Sequence, residues 1–204
     1  MTGRIVILNG APRSGKSAIA RAMQASLAGL WINHGVDAAM AMMPPHLLPG
    51  IGLRPGGERP DLEPAVQQLY AALFEAMAAE ARAGADVVSD LGLHDGYSRP
   101  LGILDDMVRR LDGLPALFVG VRCPIETIMA RRNADPQDGY YASGEVVPAP
   151  VQRWQDSVHA GKTYDLELDT SMLSPESCAS EIETLLQKWP KPSALERFRQ
   201  TARP

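Results

Sequence analysis

A glycine-rich segment at residues 7–17, ILNGAPRSGKS, constrains the fold of this chain more than any other feature. It matches the pattern G-x-x-x-x-G-K-[ST], in which Gly10, Gly15, Lys16 and Ser17 occupy the fixed positions. In such a loop the glycines let backbone N–H groups turn toward a phosphate, the lysine adds positive charge, and the hydroxyl can ligate Mg²⁺. An apolar run precedes the segment and a helical pattern follows it. The loop therefore leads from a strand into a helix N-terminus, where anions bind.

We predict that this loop binds the β- and γ-phosphates of a nucleoside triphosphate, with ATP and Mg²⁺ as the cofactors. The predicted contacts are nine consecutive residues: Gly10, Ala11, Pro12, Arg13, Ser14, Gly15, Lys16, Ser17 and Ala18. The base-reading motif N-K-x-D that is typical of GTPases is absent from the sequence. Together with the small size of the chain, this absence favours a small-molecule kinase.

Short apolar runs alternate with longer helical patterns along the rest of the chain. The predicted strands are residues 5–8, 30–32, 87–88, 116–121 and 166–168. The predicted helices are residues 17–27, 61–84, 101–113 and a segment that follows Pro175. Asp61 is placed to cap the second of these helices. The alternation predicts an α/β fold of the three-layer P-loop kinase type: a five-stranded parallel sheet with helices on both faces and a lid.

The 204 residues suffice for one well-buried domain, which we place at residues 1–189. Two segments lack periodicity: residues 42–60 are rich in proline and glycine, and residues 133–150 are mostly polar. Loops this long in a compact domain are usually functional or disordered, and we predict a lid at about residues 132–152. Residues 190–204 contain three prolines and are predicted to be a C-terminal tail.

Composition argues against several classes of partner. The net charge of −4 and the lack of a Lys/Arg-rich run disfavour nucleic acid. No apolar stretch approaches the length of a membrane span or of a signal-peptide core. The two cysteines, Cys123 and Cys178, are not clustered, which is typical of a reduced intracellular protein. The four histidines do not have metal-ligand spacing. We therefore expect a cytoplasmic protein without a membrane or nucleic-acid partner, and leave homo-oligomerisation open.

Asp37 is the candidate general base. It follows the second predicted strand in the sequence Gly-Val-Asp, and in a parallel sheet it would emerge at the same carboxyl edge as the phosphate loop. A carboxylate there can accept the proton of an acceptor hydroxyl while that oxygen attacks the γ-phosphorus, or can orient the hydroxyl. The alternative is that Asp37 caps a short helix that begins at Ala38.

Asp90 and Met40 are the other candidates for binding the acceptor. Asp90 ends the third predicted strand, where it can contact the acceptor and, together with Ser17, hold Mg²⁺. The alternative is an aspartate that bonds to N–H groups at the start of a loop. Met40, with Met42 and Met43, would give an adaptable apolar wall beside Asp37, although a methionine cluster is more often ordinary packing.

Arg131 is the candidate arginine for the triphosphate. Arg131 and Arg132 fall at the C-terminal end of the helix predicted after Pro124, where small kinases carry arginines that face the phosphates. The planar guanidinium donates two parallel hydrogen bonds to a phosphate. Arg131 and Lys16 would together stabilise the transferred phosphoryl group. The alternative is a solvated helix end, where positive charge is favourable to the helix dipole.

These segments resemble the chloramphenicol phosphotransferase family of P-loop kinases, which phosphorylate a hydroxyl of the antibiotic. The matching segments are ILNGAPRSGKS, Gly35 to Asp37, Arg82 to Asp90, Val119 to Cys123 and Val158 to Thr170. They run in the right order from residue 4 to about residue 188. The resemblance implies that Asp37 is the general base, that Lys16 and Arg131 stabilise charge on the transferred group, and that Asp90 lies in the acceptor site. It also implies a role in antibiotic resistance.

The chain departs from this family in the predicted lid. Relatives carry further arginines there, whereas residues 133–139, NADPQDG, contain two aspartates, of which the first is Asp135. Arg13 and Arg153 are candidates to supply the missing positive charge. The loops that follow the two candidate carboxylates also differ from the antibiotic kinase, so the acceptor need not be chloramphenicol.

The predicted function is an ATP- and Mg²⁺-dependent O-phosphotransferase that acts on a small hydroxylated molecule. Two alternatives stay open. A kinase for a housekeeping metabolite, such as a nucleoside or a sugar acid, would use the same Asp37. A nucleotide-binding protein that senses or assembles would transfer nothing, and the altered lid motivates this alternative.

Overall fold

The computed structural model describes residues 2–135 and 144–201. The strands are β1 Ile5–Asn9, β2 Trp31–Asn33, β3 Asp86–Leu91, β4 Ala116–Arg122 and β5 Leu166–Asp169. They form one sheet in the spatial order β2-β3-β1-β4-β5, and every neighbouring pair is parallel. The predicted five-stranded parallel sheet is confirmed.

Eight α-helices lie within the described residues. They are α1 Lys16–Ser26, α2 Val36–Ala41, α3 Glu63–Arg82, α4 Ile103–Arg110, α5 Ile125–Ala134, α6 Ala149–Ser157, α7 Pro175–Lys188 and α8 Ala194–Thr201. Two 3₁₀ turns, Pro45–Leu47 and Gly50–Gly52, interrupt the proline- and glycine-rich loop. No helix in these parts of the chain is long and apolar enough to cross a membrane.

The core lies on both faces of the central strand β1, whose five residues are all buried. Successive side chains of a strand point to opposite faces. Ile5 and Ile7 accordingly join a cluster with residues of α3, α4 and α8, whereas Val6 and Leu8 join a cluster with residues of α1 and α7. Helices cover both faces, which is why an unbroken apolar run serves as this strand.

The strand order brings three loops together at the carboxyl edge of the sheet. β1 ends at Asn9 and leads into the phosphate loop, and its neighbour β3 places Asp90 opposite Leu8. β2 pairs with the other side of β3 and is followed by α2, which carries Asp37. The phosphate loop and the two candidate carboxylates therefore come from three adjacent strands, as the sequence analysis expects.

The start of α3 differs from the prediction. The helix begins at Glu63 with Leu62 at the N-cap position and no side-chain capping bond. Asp61 instead forms an ion pair with Arg59, with 2.8 Å between Arg59 Nη2 and Asp61 Oδ2. The predicted cap is therefore wrong, because the nearby guanidinium takes up the carboxylate.

The segment predicted to be a lid overlaps two helices. Residues 132–134 are the last residues of α5, and residues 149–152 are the first of α6. Residues 136–143 of this segment lie outside the described residues. A role as a lid stays a prediction.

Residues that the sequence analysis separated as a tail form α8, which packs against the domain. Ala194 and Leu195 are buried in the same cluster as Ile5 and Ile7. The backbone N–H of Ala194 donates to Asp165 Oδ1 at 2.6 Å, so a carboxylate just before β5 holds the start of this helix. The sequence analysis did not predict α8, because the prolines before it obscured its apolar residues.

Candidate active site

The phosphate loop turns sharply between the end of β1 and the start of α1. Gly15 is the N-cap of α1, and its φ of +99° is costly for a residue with a Cβ. Arg13 is also left-handed, with a φ of +67°. The first N–H groups of α1 have no partner within the helix. This turn followed by a helix N-terminus is the arrangement in which backbone N–H groups bind phosphate.

Lys16 lies between the loop backbone and the two candidate carboxylates. Its Nζ donates to the carbonyl of Ala11 at 2.8 Å. Burial lowers the pKa of Lys16 to about 8, although the charges of Asp90 and Asp37 act to raise it. Ser17, which follows Lys16, bonds to Asp90, and Gly35, two residues before Asp37, packs against the Asp90 carboxylate. The structure thus places the phosphate loop, Asp37 and Asp90 at one edge of the sheet, and their catalytic roles stay predictions.

Ser17 and Asp90 form an oxygen pair suited to magnesium. Ser17 Oγ donates to Asp90 Oδ2 at 2.5 Å, and Asp90 is buried. Burial raises the pKa of Asp90, and the hydrogen bond from Ser17 and the charge of Lys16 offset this only in part. Residues 2–135 and 144–201 contain no group of three or more His, Cys, Asp or Glu side chains that could hold a metal. One hydroxyl and one carboxylate fit Mg²⁺, which takes its other ligands from phosphates and water.

Gly35 allows Asp90 to approach the corner between β2 and α2. An ideal Cβ at Gly35 would lie 1.5 Å from Asp90 Oδ1 and 2.8 Å from its Cγ, so any side chain would displace the carboxylate. Gly35 is also the N-cap of α2, and Asp37 lies exposed in the first turn. The alternative in which Asp37 caps a helix from Ala38 is wrong, because α2 already begins at Val36.

Arg131 lies against the outer side of the phosphate loop. Its Nη1 donates to the carbonyl of Arg13 and to Thr170 Oγ1, both at 3.1 Å, and its Nη2 donates to the carbonyl of Thr170 at 2.7 Å. Thr170 is buried, and its hydroxyl also approaches the carbonyl of Ser14 at 2.6 Å. Arg131 therefore joins the phosphate loop to the end of β5. The predicted proximity to the loop is present, but the guanidinium bonds to protein groups.

The two arginines proposed to replace the lid charges are both ion-paired. Arg13 Nη1 lies 2.8 Å from Asp135 Oδ2, at the C-terminal end of α5. Arg153 Nη2 lies 2.6 Å from Glu58 Oε1, which ties α6 to the proline- and glycine-rich loop. Only Arg13 belongs to the phosphate loop itself.

Asn9 is a buried polar residue to which the sequence analysis gave no role. Its Nδ2 donates to the carbonyl of Val158 and to the hydroxyl of Tyr164, both at 2.9 Å. Its Oδ1 accepts from the backbone N–H of Leu93 at 2.7 Å. The Tyr164 hydroxyl is in turn hydrogen-bonded to His159 Nδ1, at 2.7 Å. Asn9 thus ties the start of the phosphate loop to the segments after β3 and α6. The only signal in the sequence is a polar residue at the end of a fully apolar strand.

His94, in the loop after β3, joins that loop to the proline- and glycine-rich loop and to α6. Its Nε2 donates to the carbonyl of Leu53 at 2.8 Å, and its Nδ1 accepts from the N–H of Gly96 at 3.2 Å. The ring stands edge-on to Trp154 of α6, with 4.9 Å between centroids. Burial lowers the pKa of His94 to about 4, so the ring is neutral and fully bonded. Sequence analysis treated it as an ordinary polar residue.

Met40, a residue of α2, packs on the second 3₁₀ turn. An ideal Cβ at Gly52 would lie 2.8 Å from the Met40 sulfur, and Met40 is partly buried against the core. Met42, by contrast, has 75% of its surface exposed. Met40 therefore packs against the core, whereas Met42, five residues after Asp37 in the sequence, is exposed apolar surface.

Comparison with known proteins agrees with this geometry. A family model described as chloramphenicol phosphotransferase-like protein matches residues 3–187. A protein found in two strains of Mycobacterium tuberculosis, whose name assigns it provisionally to the O-phosphotransferases, is 27% identical over 211 residues, which cover 97% of this chain and 88% of the relative.

Solved kinase structures share the fold. The Mycobacterium tuberculosis APS kinase, in complex with AMPPNP and APS, has a TM-score of 0.62 at 18% identity and covers 91% of this chain and 98% of its own. Shikimate kinase from Acinetobacter baumannii, in complex with shikimate, has a TM-score of 0.58 at 13% identity, with coverages of 92% and 94%. The family match spans nearly the whole described domain, and the chain therefore belongs to the chloramphenicol phosphotransferase-like family and is an O-phosphotransferase on a P-loop kinase fold.

Proposed function

We propose that this protein transfers the γ-phosphoryl group of ATP to a hydroxyl of a small molecule, with Asp37 as the general base. One observation carries the proposal: the phosphate loop bonds to Asp90 through Ser17, at 2.5 Å, and Gly35, two residues before Asp37, packs against the same Asp90 carboxylate. Asp90 therefore links the loop that binds the donor to the helix that carries Asp37. Asp37 is exposed, so an incoming hydroxyl can reach it.

The transfer balances with these groups. The acceptor oxygen forms a bond to the γ-phosphorus, the bond from that phosphorus to the β,γ-bridging oxygen breaks, and ADP leaves with the electron pair. The hydroxyl proton passes to the Asp37 carboxylate. Lys16 stabilises negative charge on the phosphates as the reaction proceeds. Asp37 must accept the proton rather than Asp90, because Asp90 is buried and already bonded to Ser17.

Ser17 and Asp90 are the residues that would hold Mg²⁺, since they supply a hydroxyl and a carboxylate oxygen within hydrogen-bond distance of each other. When bound, the metal neutralises phosphate charge and helps to orient the donor. Gly35 has no side chain and therefore leaves space for the Asp90 carboxylate of this pair.

The acceptor in this proposal is chloramphenicol or another hydroxylated antibiotic. Family membership supports it, and so do two exposed apolar side chains in the segment that follows α2, Met42 at 75% and Leu48 at 42% exposed. An acceptor with an apolar body would cover these side chains. Antibiotic resistance and a cytoplasmic location belong to the same proposal, and the two free, buried cysteines are compatible with a reducing compartment.

A product screen tests this function. Purified protein is incubated with ATP, Mg²⁺ and, separately, chloramphenicol, other hydroxylated antibiotics, nucleosides and sugar acids, and mass spectrometry detects an added phosphate. A product on an antibiotic supports the proposal, and a product only on a metabolite supports the housekeeping kinase. ATP binding without a product across the panel would favour a nucleotide-binding protein.

The Asp37→Asn variant then tests the base. It should still bind ATP but lose turnover by about 10² to 10⁴, the range expected for general acid–base catalysis. Asp61→Asn is the matched control, because Asp61 is an exposed carboxylate outside the site. Turnover close to that of the wild type in Asp37→Asn would refute the assignment.

A further inference from the structure

We propose that Arg13, within the phosphate loop, is the arginine that contacts the γ-phosphoryl group, and that Arg131 is a positioning residue for the loop. This inference rests on the proposed function, because it names a further catalytic residue for the same transfer. It reverses the assignment that the sequence suggested for Arg131.

Arg131 is occupied by the protein. Its two terminal nitrogens bond to the carbonyl of Arg13 and to both the hydroxyl and the carbonyl of Thr170. The Thr170 hydroxyl lies 2.6 Å from the carbonyl of Ser14. These bonds join Arg131 and Thr170 to the backbone of the phosphate loop. If Arg131 moved to the phosphate, the carbonyl of Arg13 and two oxygens of the buried Thr170 would lose their hydrogen-bond donor, which is unfavourable.

The segment after α5 supplies no replacement. Residues 133–152 contain neither lysine nor arginine. Arg132 is buried, and Arg153 is bonded to Glu58 at 2.6 Å on the side of the proline- and glycine-rich loop. A transferred phosphoryl group carries negative charge on its peripheral oxygens, and the loop itself contains one arginine that can serve as a second cation besides Lys16.

Arg13 meets this requirement. It is the fourth residue of the loop counted from Gly10, and its guanidinium donates to the Oδ2 and the backbone carbonyl of Asp135, at 2.8 and 2.5 Å. The Asp135 side chain is 63% exposed. Although the Arg13 side chain is only 16% exposed, water screens the charge of so exposed a carboxylate, and the ion pair is weaker than a fully buried one. A phosphate offers the same guanidinium more negative charge and a bidentate geometry, so Arg13 can exchange Asp135 for the γ-phosphate.

In the transfer, Arg13 would donate two N–H bonds to peripheral oxygens of the γ-phosphorus. The bonds that form and break are those given above, and the proton still passes to Asp37. Asp135 then acts as the partner that Arg13 holds before the nucleotide binds. Removal of the Asp135 charge should therefore favour the phosphate-bound position of Arg13.

Calorimetric titration with Mg·AMPPNP and Mg·ADP distinguishes a γ-phosphate contact from a structural role. In Arg13→Ala the affinity for AMPPNP should fall by about 10- to 100-fold, the size of a lost charge-assisted hydrogen bond, while the affinity for ADP changes by less than about threefold. Asp135→Asn should bind AMPPNP more tightly than the wild type. Arg131→Ala should weaken both nucleotides by a similar factor and lower the melting temperature. Arg109→Ala, which removes an exposed arginine of α4, is the control.

The outcomes are separable. If Arg13→Ala weakens ADP and AMPPNP equally, or neither, Arg13 does not contact the γ-phosphate and the inference fails. If instead Arg131→Ala selectively loses AMPPNP, the original assignment of Arg131 is right. If the wild type binds neither nucleotide, the proposed function itself fails, and this result cannot be confused with the other two.

Discussion

Acidification should destabilise this protein through His94, whose buried ring is hydrogen-bonded to the carbonyl of Leu53 and to the N–H of Gly96. In the neutral ring Nδ1 accepts a hydrogen bond, whereas in the protonated ring both nitrogens are donors. Protonation therefore breaks the bond from the Gly96 N–H and places a charge in a buried site. Burial of the charge is the main cause of the pKa of about 4, against an ordinary value of 6.5, and the bond to the carbonyl of Leu53 opposes it only in part.

The sign and the size follow from these two pKa values. The pKa is lower in the folded state, so the unfolded state binds the proton first. The contribution of His94 to the free energy of unfolding is complete above pH 6.5 and is lost as the pH falls toward 4. One pKa unit corresponds to about 1.4 kcal/mol. Between pH 7 and pH 4.5 the loss from His94 alone should therefore be about 2 to 3 kcal/mol.

Urea unfolding of the wild type and of His94→Gln at pH 7 and pH 4.5 measures this loss. Glutamine can keep a donor near the carbonyl of Leu53 but does not titrate. The variant should be less stable at pH 7, because it loses the Gly96 bond and the ring contact with Trp154. Its further loss on acidification should be smaller than that of the wild type by about 2 to 3 kcal/mol. His46→Gln is the control, because His46 is exposed.

Equal losses on acidification in the wild type and in His94→Gln would refute the reasoning. The comparison is needed because His159 has a pKa that burial, assisted by the charge of Arg122, also lowers to about 4. The wild-type loss alone would combine the two histidines. The difference between the wild type and the variant isolates His94, since His159 is present in both.

Two further predictions concern packing. In Gly35→Ala, a Cβ 1.5 Å from Asp90 Oδ1 should displace the carboxylate and raise the Mg²⁺ concentration needed for half-maximal turnover by about tenfold, a cost of roughly 1.4 kcal/mol; an unchanged metal titration would contradict this. Leu195→Ala should lower the free energy of unfolding by about 2 to 5 kcal/mol, as for a buried leucine, and leave the affinity for Mg·ADP unchanged. If thermal unfolding shows no loss of stability, α8 does not belong to the cooperative core.

The fold was predictable because its signals are local. The phosphate loop is a run of consecutive residues between an apolar strand and a helix, and the alternation of runs fixes a parallel sheet. The positions of Asp37 and Asp90 at one edge were predictable for the same reason, because Asp90 lies at the carboxyl end of β3 and Asp37 lies in the first turn of the helix that follows β2.

The partners of the polar side chains were not predictable, because they lie far apart in the sequence. The amide of Asn9 reaches Val158, which is 149 residues away, and Arg13 reaches Asp135 across 122 residues. The sequence identifies the cations, but whether one of them can bind a phosphate depends on the acceptors that the fold places next to it. Arg131 shows this: its place at a helix end suggested a phosphate ligand, whereas Thr170, brought in by β5, supplies its acceptors. The function of an arginine near a phosphate loop is thus decided by competition among acceptors, and we expect a phosphate to displace the exposed Asp135 carboxylate from Arg13.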